Sequence, residues 1–287
     1  MMERMNRTRT FLSVFLAAAL ILSCSCHAFA EQQTNANVIS GEEIQMLFDR
    51  YVKEYDLNPN LISIAFCYPA TGEEWFYQED KWYYSASLYK VPLMMLLAEK
   101  VSDPAHLQES EINGLPLEEI EEAVLQYSDN DLAYSMLLYL GEPSAARAMY
   151  RRYSNLPDEY FDWSFYGSSY FTARFMNDVM KTLYERKEDF PGVIEHLLMA
   201  QPEHFFKAKI SAATCEIAQK YGSYHDEDEN DWNHTSGIFF TENPFILTVM
   251  TRYGGMSETI IADLAVVFHD YAVSADKRLA ELNESGR

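Results

Sequence analysis

Three short groups of residues in this chain carry hydroxyls and amines at spacings that suit chemistry on a carbonyl. The first is Ser87 and Lys90, three apart at the head of the apolar run 91–97. On a helix, residues three apart share a face, so the amine would sit beside the hydroxyl. A serine is a weak nucleophile until a neighbouring base takes its proton. An amine among apolar neighbours loses proton affinity and can be that base. A helix N-terminus adds backbone N–H groups and the positive end of the dipole, both suited to an oxyanion. The second group is Ser128-Asp129-Asn130, where a hydroxyl beside an amide suits a proton relay and substrate hydrogen bonding. The third is Lys220-Tyr221-Gly222-Ser223. There a lysine can hold a substrate carboxylate, and glycine lets the backbone approach closely.

Taken singly, each group has an ordinary structural account. Ser-x-x-Lys arises by chance about once in a chain of average composition and this length. Ser128, Asp129 or Asn130 can simply cap a helix. Lys220 to Ser223 reads equally as a strand end with a turn glycine.

The elements that must position these groups follow from periodicity. Ser40 and Glu43 form a capping box before Ile44, Leu47, Phe48, Tyr51, Val52 and Tyr55 at helical spacing. Residues 61–68 and 73–78 read as paired strands around a Pro-Ala-Thr-Gly turn. Helices are expected over the Ser87 run, in which Pro92 is tolerable if Ser87 lies in the first turn. Further helices are expected within 114–126 and over 132–140, 145–153, 172–186 and 193–200, with 155–169 irregular. Strands are expected at 214–219, 237–240 and 245–251, then a long helix over 257–281. Two strands, a block of helices, three strands and a closing helix give an α+β fold. An antiparallel five-stranded sheet is flanked by the N- and C-terminal helices, with an all-helical subdomain beside it.

Composition narrows the class. The net charge of −22 argues against nucleic acid or an anionic membrane as partner. Arg4, Arg7 and Arg9, an apolar run from Phe11 and Ala28-Phe29-Ala30 read as a signal peptide over residues 1–30. Residues 31–39 then read as a flexible segment before one domain over 40–287. Ile21-Leu22-Ser23-Cys24 also resembles a lipobox, so lipidation of Cys24 stands as an alternative to simple secretion. Cys67 and Cys215 remain after cleavage and are expected as buried free thiols rather than a disulfide. Asp226, Asp228 and Asn230 open like a calcium loop, but Asp231 stands where glycine belongs and Gly237 where glutamate belongs. No H-E-x-x-H occurs, so no metal and no cofactor are expected.

The order S-x-x-K, S-D-N, K-x-G resembles that of the class A β-lactamases and related penicillin-binding serine hydrolases. The likeness extends to 128–141, to 217–223 and to His234-Thr235-Ser236-Gly237-Ile238-Phe239-Phe240, and spans about 40–282. It implies that Ser87 is the acylated nucleophile, with Lys90 taking part in its activation. Ser128 would relay a proton to the leaving nitrogen, and Asn130 would bind the substrate side chain or order Lys90. Lys220 would anchor a substrate carboxylate and tune Ser128. The N–H groups of Ser87 and Ser223 would form the oxyanion hole, beside Gly222. A register placing His234-Thr235-Ser236 in the lysine slot is disfavoured, because the strand that follows would lack the one before it.

Two features depart from the family. Tyr221 stands where the family has threonine or serine. The E-x-x-x-N pattern that positions the hydrolytic water is absent from 155–169, which offers Asp158, Glu159 and Asp162 instead. Glu159 is the expected candidate for that role. The implied function is a secreted, monomeric serine hydrolase that opens a β-lactam amide through an acyl-enzyme. A D-alanyl-peptide carboxypeptidase, transpeptidase or esterase is one alternative, and a non-catalytic binder of peptidoglycan or β-lactam is the other.

Overall fold

The computed structural model describes residues 40–102, 111–112, 114–226 and 231–285. The expected signal peptide, the 31–39 segment, Cys24 and most of the acidic loop lie outside the described residues. Nine α-helices occur among them: α1 (Gly41–Glu54), α2 (Lys90–Ser102), α3 (Leu117–Glu121), α4 (Asn130–Leu140), α5 (Pro143–Met149), α6 (Trp163–Tyr166), α7 (Ala173–Glu185), α8 (Pro191–Met199) and α9 (Ser257–Ser285). The main strands are β1 (Ile62–Tyr68), β2 (Glu73–Tyr77), β3 (Glu216–His225), β4 (Asp231–Phe240) and β5 (Phe245–Thr251). They form one sheet in the order β2-β1-β5-β4-β3, every neighbouring pair antiparallel.

Period-two alternation divides the core into two layers. Ile62, Ile64, Phe66 and Tyr68 of β1 face α1 and α9, in a cluster with Phe48, Leu247, Val249, Leu264 and Phe268. Ala65 and Cys67 face the opposite way, into the helical block, with Leu93, Met94, Phe175, Val179 and Met250. The small Ala65 leaves room for Asn177 of α7, which donates to the Ala65 carbonyl at 2.9 Å. The sheet is therefore the wall between a two-helix layer and the helical subdomain. The Ser40 hydroxyl accepts from the Glu43 amide at the head of α1. Cys67 and Cys215 are both buried free thiols.

Three elements differ from the sequence expectation. The strands about the acidic loop are longer, because β3 continues from Glu216 to His225 and β4 starts at Asp231. The polar stretches 220–225 and 231–236 lack an apolar alternation, and cross-strand pairing alone makes them strand, with Lys220 opposite Ser236 and Gly222 opposite His234. Two-residue ribbons join Tyr83–Tyr84 to Tyr170–Phe171 and Glu111–Ile112 to Leu115–Pro116, too short to read from pattern. The 145–153 helix begins earlier, at Pro143, and tightens into a 3₁₀ turn at Tyr150–Tyr153. No helix among the described residues is long and apolar enough to cross a membrane.

Candidate active site

Ser87 does not lie within an α-helix. It sits in the 3₁₀ turn Ala86–Tyr89, which feeds α2 at Lys90. Pro92 thus falls in the first turn of α2, where backbone N–H groups lack helical partners and its missing donor costs little. Ala86 is held at φ +46°, a left-handed conformation that costs a non-glycine residue about 1–2 kcal/mol. Contacts before the turn hold it there. The Ser85 amide donates to Ser169 O at 2.9 Å, and the two hydroxyls lie 2.9 Å apart. Tyr83 and Tyr84 pair with Phe171 and Tyr170.

Behind Ser87, two lysines converge on one hydroxyl. Lys90 Nζ donates to Asn130 Oδ1 at 2.7 Å, to Ser128 O at 2.7 Å and to Ser128 Oγ at 3.1 Å. Lys220 Nζ lies 3.0 Å from the same Ser128 Oγ and 3.2 Å from Tyr221 O. Both side chains are fully buried. Burial pushes the Lys90 amine down to about 8, against a smaller opposing pull from Asp129. Burial, followed by the Lys90 charge, holds Lys220 well below the usual lysine range. No carboxylate bonds either amine among the described residues. Such a pair readily gives up a proton, and the shared hydroxyl can pass it on.

The turn that presents Ser128 is itself unusual. Ser128 is not the helix cap. Asp129 caps α4 by accepting from Leu132 N at 2.7 Å, and Ser128 is turned to φ +60°. A π-helical turn, Glu122–Gln126, precedes it, and Asp129 N bonds back to Ala123 O at 2.9 Å. The cap frees the serine hydroxyl for the lysines.

β3 closes the third side. A Cβ at Gly222 would lie 2.8 Å from Ser87 N, 3.0 Å from Ala86 Cβ and 3.1 Å from Ser85 O, so only glycine lets the strand lie this close to the Ser87 turn. Ser223 is exposed at this edge, and its hydroxyl donates to Asn233 Oδ1 at 2.8 Å. Tyr221 stands beside the lysine with no hydroxyl-to-substrate role given by its contacts, which are aromatic. Its ring stacks on Phe205 at 4.8 Å and lies 4.3 Å from Lys220 Nζ, as a cation–π partner. Tyr224 follows, its ring 4.8 Å from that of Tyr84 at the rim.

The structure thus brings together Ser87, Lys90, Ser128, Asn130, Lys220, Gly222 and Ser223. Glu159 is not joined to them. It lies exposed on the 3₁₀ turn Asp158–Tyr160, and no hydrogen bond or ion pair links it to the site among the described residues. Asp158 is paired with Arg151. Asp162 caps α6 through Ser164 N at 2.7 Å. Arg147 ties the end of this loop to α5, donating to Tyr166 O and Gly167 O at 2.9 and 3.0 Å. Sequence reasoning did not single out the Ser85–Ser169 pair, Arg147 or His234 as site residues. Each acts through partners far away in the chain, which no local spacing reveals.

Serine, two buried lysines and a bridging hydroxyl, set between an antiparallel sheet and a helical block, define a β-lactamase-like serine hydrolase. The model of the "Beta-lactamase enzyme family" matches residues 42–113 and 104–272, and the chain belongs to that family. The fold is similar to the TLA-3 extended-spectrum β-lactamase, at 15% identity and TM-score 0.66, over 82% of this chain and 100% of that one. A variant of the last common ancestor of Gram-negative bacteria class A β-lactamases matches at 18% identity and TM-score 0.60, over 81% and 98%. A β-lactamase from Chitinophaga pinensis matches at 16% and 0.60, over 74% and 93%. No curated protein matches by sequence.

Proposed function

We propose that the protein acts by serine acyl transfer of the class A type, with Ser87 attacking the carbonyl of a strained or peptide-like amide, a β-lactam first. The observation that carries this reading is the Ser128 hydroxyl held between the two buried amines. Lys90 in its neutral form takes the Ser87 proton as the Ser87 oxygen bonds the carbonyl carbon. The oxyanion is held by the Ser87 and Ser223 N–H groups; one such donor is typically worth about 3 kcal/mol of barrier. As the C–N bond breaks, Ser128 hands its proton to the leaving nitrogen and recovers one from a lysine. Lys220 takes the substrate carboxylate, whose charge offsets the repulsion between the amines. Water then cleaves the ester, releasing the acid and restoring the Ser87 hydroxyl.

A second reading is favoured by the placement of the loop acids. Asp158 and Asp162 are engaged elsewhere and Glu159 is exposed; on this reading water activation is weak and the acyl-enzyme long-lived. That behaviour suits a D-alanyl-peptide carboxypeptidase or transpeptidase, or a β-lactam-acylated binder. Export through the leader-like segment would place either activity outside the cytoplasm.

The test is turnover of a chromogenic cephalosporin by the full chain and by Ser87→Ala. Sustained turnover abolished in the variant supports hydrolysis. A stable stoichiometric adduct on Ser87 supports the second reading. Turnover that survives the substitution would overturn both.

A further inference from the structure

His234 lies in the middle of β4, wholly buried, and touches neither lysine nor Ser128 by hydrogen bond. Its ring nitrogens have different partners. Nδ1 lies 3.2 Å from the Thr251 backbone nitrogen, which can only donate, so Nδ1 accepts. The ring proton is therefore on Nε2, which donates to the Tyr84 carbonyl at 2.9 Å. Burial favours this neutral form and pushes the imidazole down to about 4. The rings of Tyr83 and Trp232 meet it edge-on at 5.4 and 6.4 Å.

The position of that bond matters. Tyr84 stands three residues before Ser87, and the left-handed Ala86 lies between them. A strained residue persists only where its surroundings hold it from both sides. Ser169 holds Ser85, and Gly222 backs onto Ser87 N. His234 is the residue opposite Gly222 across β3 and β4. One rung of the sheet thus grips the turn twice, with backbone at Ser87 and an imidazole at Tyr84.

We propose that His234 is a positioning residue for the Ser87 turn, acting through its Nε2–H bond to the Tyr84 carbonyl. The proposal rests on the reading of Ser87 as nucleophile for its kinetic consequence, but not for its structural one. Two substitutions divide the ring's functions. In His234→Gln the side-chain amide reaches about as far as Nε2 and can still donate to Tyr84 O. In His234→Asn it reaches only about as far as Nδ1, keeping a partner for Thr251 N and losing the bond to Tyr84.

The experiment compares both variants of the full chain by thermal midpoint, by cephalosporin acylation kinetics, and by amide exchange over residues 83–89. Both are expected to lower the midpoint to a similar degree. The asparagine variant is expected to slow the acylation rate constant by about tenfold or more with little change in KM, and to exchange faster over 83–89. The glutamine variant is expected to keep native exchange and stay within about threefold of the native rate. Equal rate losses that track the midpoint, or unchanged exchange over 83–89 in His234→Asn, would overturn the proposal. Should the native protein show no acylation, the nucleophile reading fails, and the exchange comparison still decides the role of His234.

Discussion

On one side of Ser87, β3 and the Ser128 turn hold two amines, a hydroxyl and an amide oxygen within a chain of contacts of 2.7–3.1 Å. On the other side, the loop over 155–169 carries three carboxylates, and each is either exposed or committed to another partner. Burying two lysines with no carboxylate bonded to either among the described residues is costly, and such perturbed groups cluster at functional sites. The loop shows no comparable cost, since its acids sit where water solvates them. On the proposed reading, this arrangement serves acyl transfer to Ser87, and the loop offers no matching arrangement for release of the acyl group.

The contrast breaks most sharply at Ser128. Removing its hydroxyl in Ser128→Ala takes away the relay and a partner from each amine. Acylation is expected to fall between about 10²- and 10⁴-fold, read as the rate of cephalosporin ring opening. Gly222→Ala should follow, because the new Cβ meets the backbone of the Ser87 turn rather than a flexible side chain. A loss of about 10²-fold is expected in the same assay.

The lysine side also has a pH signature. Lys90 is held at about 8 against an ordinary value of 10.5. Between those values the unfolded chain binds the proton that the folded chain has released, so stability rises with pH across this window. Below pH 8 the penalty is complete, about 3 kcal/mol for this shift. Urea midpoints at pH 7 and pH 10 should show the rise in the native protein and a smaller one in Lys90→Met. The acylation rate should climb with pH and level off above about 8, as the neutral amine becomes the resident form.

A second buried charge sharpens the comparison. Glu121, at the head of the π-helical turn leading to Ser128, is buried against Gly192 of α8. Burial, then Glu118 and Glu195, pushes its carboxyl up to about 7. This penalty has the opposite pH dependence. It is absent below pH 4.5, grows as pH rises from 4.5 to 7, and is complete above 7. Glu121→Gln is expected to stabilise the fold by about 3 kcal/mol at pH 8 and by almost nothing at pH 4, read from urea unfolding. The smallest effect is expected on the loop. Glu159→Gln should leave both acylation and acyl release within about twofold of native, as befits an exposed acid.

Much of this was legible in the chain. The Ser87–Lys90 spacing gives adjacency whether the turn is α or 3₁₀, since residues three apart lie on one face in either. The apolar alternation of 62–68 fixes which side chains face which core layer. The polar half of β3 was legible only as a strand end and through the family likeness, because Lys220, Gly222, Ser223 and His225 interrupt any apolar alternation, and pairing with β4 carries the strand on to His225. Ser128 read equally as a cap, and only the Asp129–Leu132 bond shows which residue plays that part. His234 and Tyr84 stand 150 positions apart, and nothing local to either residue announces the contact.

The most direct measurement is intact mass spectrometry of the full chain through a single exposure to a cephalosporin, with the adduct mapped by peptide and both its formation and its decay timed. One adduct per chain, on the peptide holding Ser87, forming faster than it decays, is the expected result. Labelling at another residue, or labelling and turnover that persist in Ser87→Ala, would contradict the assignment of the lysine-bridged hydroxyl as the machinery of acyl transfer.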